Sequence, residues 1–187
     1  MKSEFAVIPR SFFHWRGEAP RRIARQVAEK WFSRSVPSPR WQVRNEELPS
    51  DIGHFFPGVR LKEQVETIDF AASGVSVCSG AKCFPEVPQG VPLYGSYERY
   101  LNPSATPGRL LILGDSFGYP LAGWFAQYFG EVLTIETNQL SRLSPDGLTQ
   151  LRAFVQAPEN RGNILFVHYD GGIQRDRFSL VVKTLFR

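Results

Sequence analysis

The residue of this 187-residue chain best suited to chemistry is Ser116, within the segment LLILGDSFG at 110–118. Four aliphatic residues in a row, 110–113, indicate a strand buried on both faces, as is typical of parallel sheets. The segment that follows has helical spacing, so Ser116 is predicted on a tight turn, with free backbone N–H groups beside it. Each such donor can stabilise a developing oxyanion by about 3 kcal/mol. Gly114 and Gly118 would let the backbone turn tightly or approach a ligand.

A serine hydroxyl needs a base to take its proton, normally a histidine held in one tautomer by an acid. The chain has three histidines: His14 before the first predicted helix, His54 in SDIGHFF, and His168 at the end of a predicted strand. A histidine at any one such position is more often structural than catalytic. The residue types therefore permit a serine hydrolase or acyltransferase but do not identify which histidine is its base.

The elements that must position these side chains follow from hydrophobic spacing. Apolar residues four apart on one face predict an amphipathic helix over 17–34. Ser144 is a predicted N-cap, followed by a first-turn proline and an acid suited to the helix dipole. The remaining predictions are strands at 5–9, 66–70, 75–78, 132–136, 164–168 and 178–186, a helix over 119–129 closed by Gly130, and extended connections over 35–62 and 71–108.

Strand and helix alternate through the second half of the chain, which predicts right-handed crossovers and an α/β fold with a mainly parallel central sheet. Ligands of such sheets bind beyond the carboxyl ends of the strands. That rule brings Ser116, Asn138, His168 and Asp170 to one rim. Asn138 is our candidate for a second oxyanion donor, and Tyr119 for a pocket-lining residue. Asp115 is expected to bind loop N–H groups rather than to act as the catalytic acid.

Charge and cysteine content limit the function further. Residues 1–44 contain ten Lys or Arg and three acids, while the whole chain has a net charge of +4. This could favour an anionic polymer, but the preferred interpretation is a solvated helix face bearing Arg21, Arg22, Arg25 and Arg34. No nucleic-acid-binding signature, membrane span or signal peptide is visible, and no metal-ligand spacing occurs. Cys78 and Cys83 form either a small-loop disulfide or two reduced thiols.

The ordered motifs carry a resemblance. GDSF after a buried strand resembles the nucleophile block of the SGNH, or GDSL-type, hydrolase superfamily. HWRGEAPRRIARQVAEKWF, then WQVRNEELPSDIGHFFPGVRLKEQV, then GRLLILGDSFGYPLAGWFAQYFGEV most resembles the alginate O-acetyltransferase group of SGNH-like domains, over roughly residues 10–178. That group has an Asp-x-His-Trp motif, a helix, a Gly-Asp-Leu-like segment and only then the serine. The resemblance implies a three-layer, flavodoxin-like sandwich with permuted motif order.

Carried over by position, the resemblance makes Ser116 the nucleophile, His14 the base and Trp15 the residue after the base. The family's acid falls on Phe12, which cannot orient an imidazole. Three interpretations stay open: an acid supplied from elsewhere, with Asp51, Asp170 and Asp176 as candidates; a Ser-His dyad; or a degenerate domain that binds without reacting.

A rival base also exists. Asp51 and His54 have the Asp-x-x-His spacing with which ordinary SGNH enzymes supply acid and base together. In this chain they fall where the permuted group has its non-catalytic segment, so His14 is preferred.

The expected function is thus a serine-dependent O-acetyltransferase or esterase acting on acetyl esters of a bacterial cell-envelope or exported polysaccharide. No metal or other cofactor is implied. The expected partners are that substrate and other polysaccharide-modification proteins, and the resemblance implies the periplasm or cell envelope. The alternative is a catalytically degenerate domain for carbohydrate binding or assembly. Residues 1–187 are expected to form a single domain that lacks the N-terminal part of its relatives.

Overall fold

The structure is a computed structural model that describes residues 14–33, 36, 41–56, 58–85, 97–169 and 177–187. Its helices are α1 (Glu18–Trp31), α2 (Tyr119–Phe125), α3 (Pro145–Val155) and α4 (Arg177–Phe186). Its strands are β1 (Val43–Pro49), β2 (Lys62–Ile68), β3 (Ser76–Ser79), β4 (Tyr97–Leu101), β5 (Thr106–Gly114), β6 (Phe129–Glu136) and β7 (Ile164–Val167). The expected strand at 5–9 lies outside the described residues. None of the helices described is long and apolar enough to cross a membrane.

Strand β5 lies inside a five-stranded sheet of order β3-β4-β6-β5-β7 and organises the core. Leu110 and Ile112 face the layer that contains α1 and α2. Leu111 and Leu113 face the layer that contains α3 and α4. Because successive side chains of a strand point to opposite faces, an unbroken aliphatic run is what a sheet covered by helices on both sides requires.

The expectation of a mainly parallel sheet needs correction, because the sheet is mixed. Strand β5 pairs in parallel with β6 and β7, while β4 pairs antiparallel with both β6 and β3. Helical crossovers separate β5, β6 and β7 in the chain and keep their directions the same. Only four residues separate β4 from β5, so the chain reverses there, and β6 inserts between the two strands.

Four local predictions also differ from the structure. The connection expected over 71–108 contains strand β4, which the sequence does not indicate. The apolar run 178–186 is helix α4, since Val181 and Leu185 are buried one helical turn apart against the layer of α3. Helix α2 ends at Phe125, and Gly130 lies in β6 instead of closing the helix. The segment 35–62 contains β1, which forms a two-stranded antiparallel ribbon with β2. Its strand β1 is polar and largely exposed, so it has no hydrophobic alternation to reveal it.

Helix α1 places its charged face in water and pairs most of it. Arg22 binds Glu18 at 2.6 Å and Arg25 binds Glu29 at 2.9 Å, both one turn apart. Arg21 lies 3.5 Å from Glu66 of strand β2. These exposed pairs support the interpretation of Arg21, Arg22 and Arg25 as a solvated face, while Arg34 lies outside the described residues.

Cys78 of β3 and Cys83 form a disulfide, which selects one of the two states that the sequence left open. Cys83 ends a short 3₁₀ helix, Ala81–Cys83, and its carbonyl accepts a hydrogen bond of 3.1 Å from Arg99 of β4. The bridge therefore fastens the edge of the sheet to the loop that follows it.

Candidate functional site

Ser116 lies on the turn between β5 and α2, and the neighbouring Asp115 holds that turn in place. One carboxylate oxygen of Asp115 accepts the Phe117 N–H at 2.9 Å, and the other accepts the Tyr169 N–H at 2.9 Å. The carbonyl of Asp115 accepts the Gly118 N–H at 3.0 Å. Asp115 is 4% exposed and binds loop N–H groups, as the sequence predicted. Because Phe117 and Gly118 already use their N–H groups, the N–H of Ser116 itself is the backbone donor left to consider for an oxyanion.

Gly114 has a structural reason to be glycine. A Cβ at this position would lie 2.3 Å from the carbonyl oxygen of Val167 in strand β7. The Gly114 carbonyl also accepts both the backbone N–H and the hydroxyl of Thr137, at 2.7 and 2.9 Å. The missing side chain thus lets the ends of β5, β6 and β7 come together under the Ser116 turn. A role of Gly114 in substrate binding stays a prediction.

The imidazole of His14 is bound by a carboxylate from a distant segment. His14 Nδ1 lies 3.0 Å from Asp51 Oδ2, and the two side chains are 25% and 17% exposed. Asp51 opens a 3₁₀ helix, Asp51–His54, whose first turn is capped by the Ser50 hydroxyl accepting the Ile52 N–H at 3.0 Å. With Nδ1–H donated to Asp51, Nε2 is the ring nitrogen with a lone pair for an incoming proton.

Phe117 ties the histidine segment to the serine turn. The indole N–H of Trp15 donates to the Phe117 carbonyl at 2.7 Å, across 102 positions of sequence. The His14 ring lies 5.0 Å from the Phe117 ring, which in turn stacks on Tyr169 at 5.6 Å. The residues that follow the proposed base and nucleophile therefore hold these two groups in a fixed relation.

Ser116 and His14 line one open cavity of about 170 Å³, which we call the serine cavity. Its lining consists of His14, Arg16, Asp51, Ser116, Tyr119, Pro120 and Glu136. The sequence singled out Ser116, His14, Asp51 and Tyr119 as candidates but missed Arg16 and Glu136. Arg16 follows His14 by two residues, and Glu136 ends a strand whose carboxyl end meets the expected rim, so both signals were present in the sequence.

Tyr119 lines the serine cavity with a side chain that is half-buried. Burial, followed by the nearby Glu98 carboxylate that accepts its hydroxyl, raises the pKa of Tyr119 to about 12. The phenol consequently keeps its proton at neutral pH and acts as a hydrogen-bonding group rather than as a base.

Two further candidates belong to another cavity, and the rest are not among the described residues. Asn138 and His168 line a different cavity of about 210 Å³. The Asn138 amide donates to Glu136 at 2.7 Å, and the His168 Nδ1 lies 3.8 Å from Asp115. The side chain of His54, and the whole of Phe12, Asp170 and Asp176, lie outside the described residues.

Two kinds of solved structure have a similar fold. Bacillus cereus PatB1 superposes with a TM-score of 0.58 at 12% identity, over 92% of this chain and 67% of that one. The chain shares the fold of PatB1. A DHHW family protein from Eubacterium siraeum gives 0.59 at 12% identity over 89% and 60% of the two chains. PatB1 with a sulfonyl adduct gives 0.55 at 13% identity over 86% and 59%.

These likenesses concern the fold, because the identities are too low to show more. The chain spans between 59% and 67% of the length of these neighbours. No protein-family model matches the sequence. No curated protein matches it either.

Proposed function

We propose that this chain is a serine-dependent acyltransferase or esterase domain that handles acetyl esters of a cell-envelope or exported polysaccharide. The observation that carries the proposal is the hydrogen bond between His14 and Asp51 beside Ser116 in one cavity. Asp51 provides a carboxylate to orient the His14 imidazole, which Phe12 cannot do, and this weakens the main argument for a degenerate domain. Two details of the structures with a similar fold agree with this proposal. One PatB1 structure carries a sulfonyl adduct. The family name DHHW, written in one-letter code, ends in a His-Trp pair, which occurs here as His14 and Trp15.

The proposed reaction has two halves. The Ser116 hydroxyl attacks the acetyl carbonyl carbon as its proton passes to His14 Nε2, and Asp51 stabilises the imidazolium that forms. The tetrahedral intermediate collapses to acetyl-Ser116, and His14 returns the proton to the departing alcohol. A sugar hydroxyl or water then attacks the acetyl-enzyme by the same route, releasing an acetyl ester or acetate and restoring the serine. Arg16, in the lining of the same cavity, supplies positive charge near the oxyanion.

The setting we propose is the periplasm or cell envelope. The Cys78–Cys83 disulfide supports it, since such bonds persist mainly in oxidising compartments.

The test is the release of p-nitrophenol from p-nitrophenyl acetate by the purified chain. We expect Ser116→Ala to lower kcat/KM by roughly 10³-fold or more. Ser104→Ala, at an exposed serine in the turn between β4 and β5, is the matched control and should behave as the unaltered chain. Equal release by Ser116→Ala and the unaltered chain would reject the enzyme and favour the carbohydrate-binding alternative.

A further inference from the structure

A larger cavity of about 270 Å³ adjoins the serine cavity, and we call it the second cavity. It lies between the start of α1, the β1–β2 ribbon, the β3–β4 edge and α2. Its apolar wall includes Phe70, Tyr100 and Trp124, and its polar wall carries several charged and hydroxyl side chains. Its size approaches the roughly 300 Å³ at which small-molecule sites begin.

The two cavities share a wall. Arg16, Tyr119 and Pro120 line both of them. Arg16 follows the proposed base by two residues, and Tyr119 follows the proposed nucleophile by three. A molecule seated in the second cavity would therefore lie next to the serine cavity, where the proposed acetyl-enzyme forms.

The polar wall is built to accept hydrogen bonds from hydroxyl groups. Glu98 is 7% exposed and its carboxylate accepts the hydroxyls of Tyr100, of Ser79 at 3.3 Å, and of Tyr119. A carboxylate can only accept, so the buried Tyr100 phenol spends its proton on Glu98. The Tyr119 side chain is 42% exposed and lines both cavities, so its phenol oxygen is the one that a bound molecule can reach. Sugar hydroxyls are natural donors to such an oxygen, while the partly exposed Phe70 offers apolar surface to a ring.

The charged side chains around the second cavity do not give it a net positive charge. The described lining carries two arginines and three glutamates: Arg16, Arg44, Glu46, Glu66 and Glu98. Arg44 is paired with Glu46 at 2.6 Å, and Glu66 is approached by Arg21 at 3.5 Å. Counted with Arg21, the guanidinium and carboxylate groups here balance, so a uronate would lose hydration without a net positive charge to replace it.

We propose that the second cavity binds an uncharged sugar unit of the acceptor, and that Tyr119 is a specificity-determining residue for it. This inference rests on the proposed acyltransferase function. It narrows the acceptor to neutral glycans, in contrast to the anionic polymer that the basic N-terminal segment first suggested.

The test uses the partition of acetyl groups between sugar and water, which does not depend on how fast the acetyl-enzyme forms. Acetyl is donated by p-nitrophenyl acetate, with neutral tetramers of glucose, mannose and N-acetylglucosamine or uronate tetramers as acceptors. Mass spectrometry counts acetylated sugar, and p-nitrophenol counts total turnover. We expect at least one neutral tetramer to be acetylated and the uronates to be poorer acceptors.

Two variants probe the cavity itself. Val77 lies at its edge on strand β3 and is 39% exposed, so Val77→Trp should fill the mouth without disturbing the core. Leu101→Trp is the matched control, since Leu101 is 42% exposed on the adjacent strand and lines neither cavity. We expect Val77→Trp to lower the sugar-to-water ratio about ten-fold. Tyr119→Phe, which removes one hydrogen bond, should also lower it up to about ten-fold. Leu101→Trp should leave the ratio unchanged.

The outcomes separate the two proposals. An unchanged ratio in both Val77→Trp and Tyr119→Phe overturns the acceptor site, as do uronates that accept better than every neutral tetramer, or the failure of all neutral tetramers to accept acetyl. The proposed function survives each of these results. It fails only if Ser116→Ala turns over p-nitrophenyl acetate like the unaltered chain.

Discussion

At the scale of single residues, the decisive contact joins His14 to Asp51 across 37 positions of sequence. The two residues lie on separate segments, each with its own local structure. His14 precedes α1, and Asp51 begins a capped 3₁₀ helix in the connection between β1 and β2. Holding a carboxylate on Nδ1 fixes the imidazole tautomer, which is the function of the acid in a serine triad. In the proposed triad, this contact would compensate for the phenylalanine at position 12, where the related motif has its acid.

Asp51→Asn tests that role. The amide would donate a hydrogen bond to Nδ1 and stabilise the tautomer with the proton on Nε2, which cannot accept a proton from Ser116. We expect kcat for p-nitrophenyl acetate to fall by roughly 10³- to 10⁴-fold, as for the acid of other triads. Glu47→Gln, at an exposed carboxylate of β1, is the control and should retain full activity. A kcat for Asp51→Asn within a few fold of the unaltered chain would mean that Asp51 does not orient the base.

At the scale of elements, two devices align the segments that carry the site. Gly114 lets β7 approach β5, and the Trp15 indole binds the carbonyl of Phe117. The first acts within the sheet, while the second spans from the segment before α1 to the turn before α2. Misplacement by about 1 Å can cost about 10²-fold in rate, so a bond of this kind affects catalysis more than stability.

Trp15→Phe removes the indole N–H while keeping an aromatic ring against Phe117. We expect kcat to fall by about ten-fold to 10²-fold, with only a small change in the urea midpoint. Trp41→Phe is the matched control, because the Trp41 indole N–H is buried and has no hydrogen-bond partner among the described residues. That variant should lose packing against Trp124, and hence stability, while keeping kcat. The opposite pattern, with Trp41→Phe inactive and Trp15→Phe active, would refute the alignment by Trp15.

At the scale of the whole molecule, the sequence predicted those elements whose periodicity is set by burial. Helices α1 and α3 and strands β5, β6 and β7 were found because their apolar faces pack against other layers. The sequence does not predict β1, because a polar, exposed strand has no such pattern. It predicts a strand at the position of α4, because the apolar residues there form a nearly continuous run. The candidate site could likewise be predicted only in part from the sequence. Motif order names Ser116 and His14, whereas only the tertiary contact shows that Asp51 lies on the His14 ring. Asp170 and Asp176 lie outside the described residues.

The packing of the tyrosines makes a prediction for the whole fold. Burial is the largest cause that raises the pKa of Tyr97, Tyr100, Tyr119 and Tyr128 in the folded state, to about 12 for the last two. An unfolded tyrosine titrates near pH 10. Below about pH 10, both states hold these protons and tyrosine ionisation leaves stability unchanged. Above it, the unfolded state loses protons first, so the free energy of unfolding must fall as the pH rises from about 10 through about 12.

Urea unfolding at a series of alkaline pH values measures this fall, and the absorbance of tyrosinate follows the ionisation directly. Tyr119→Phe should flatten the decline, since it removes one of the groups whose proton the folded state retains. A urea midpoint that stays constant from pH 9 to about 12 would contradict the burial of these phenols.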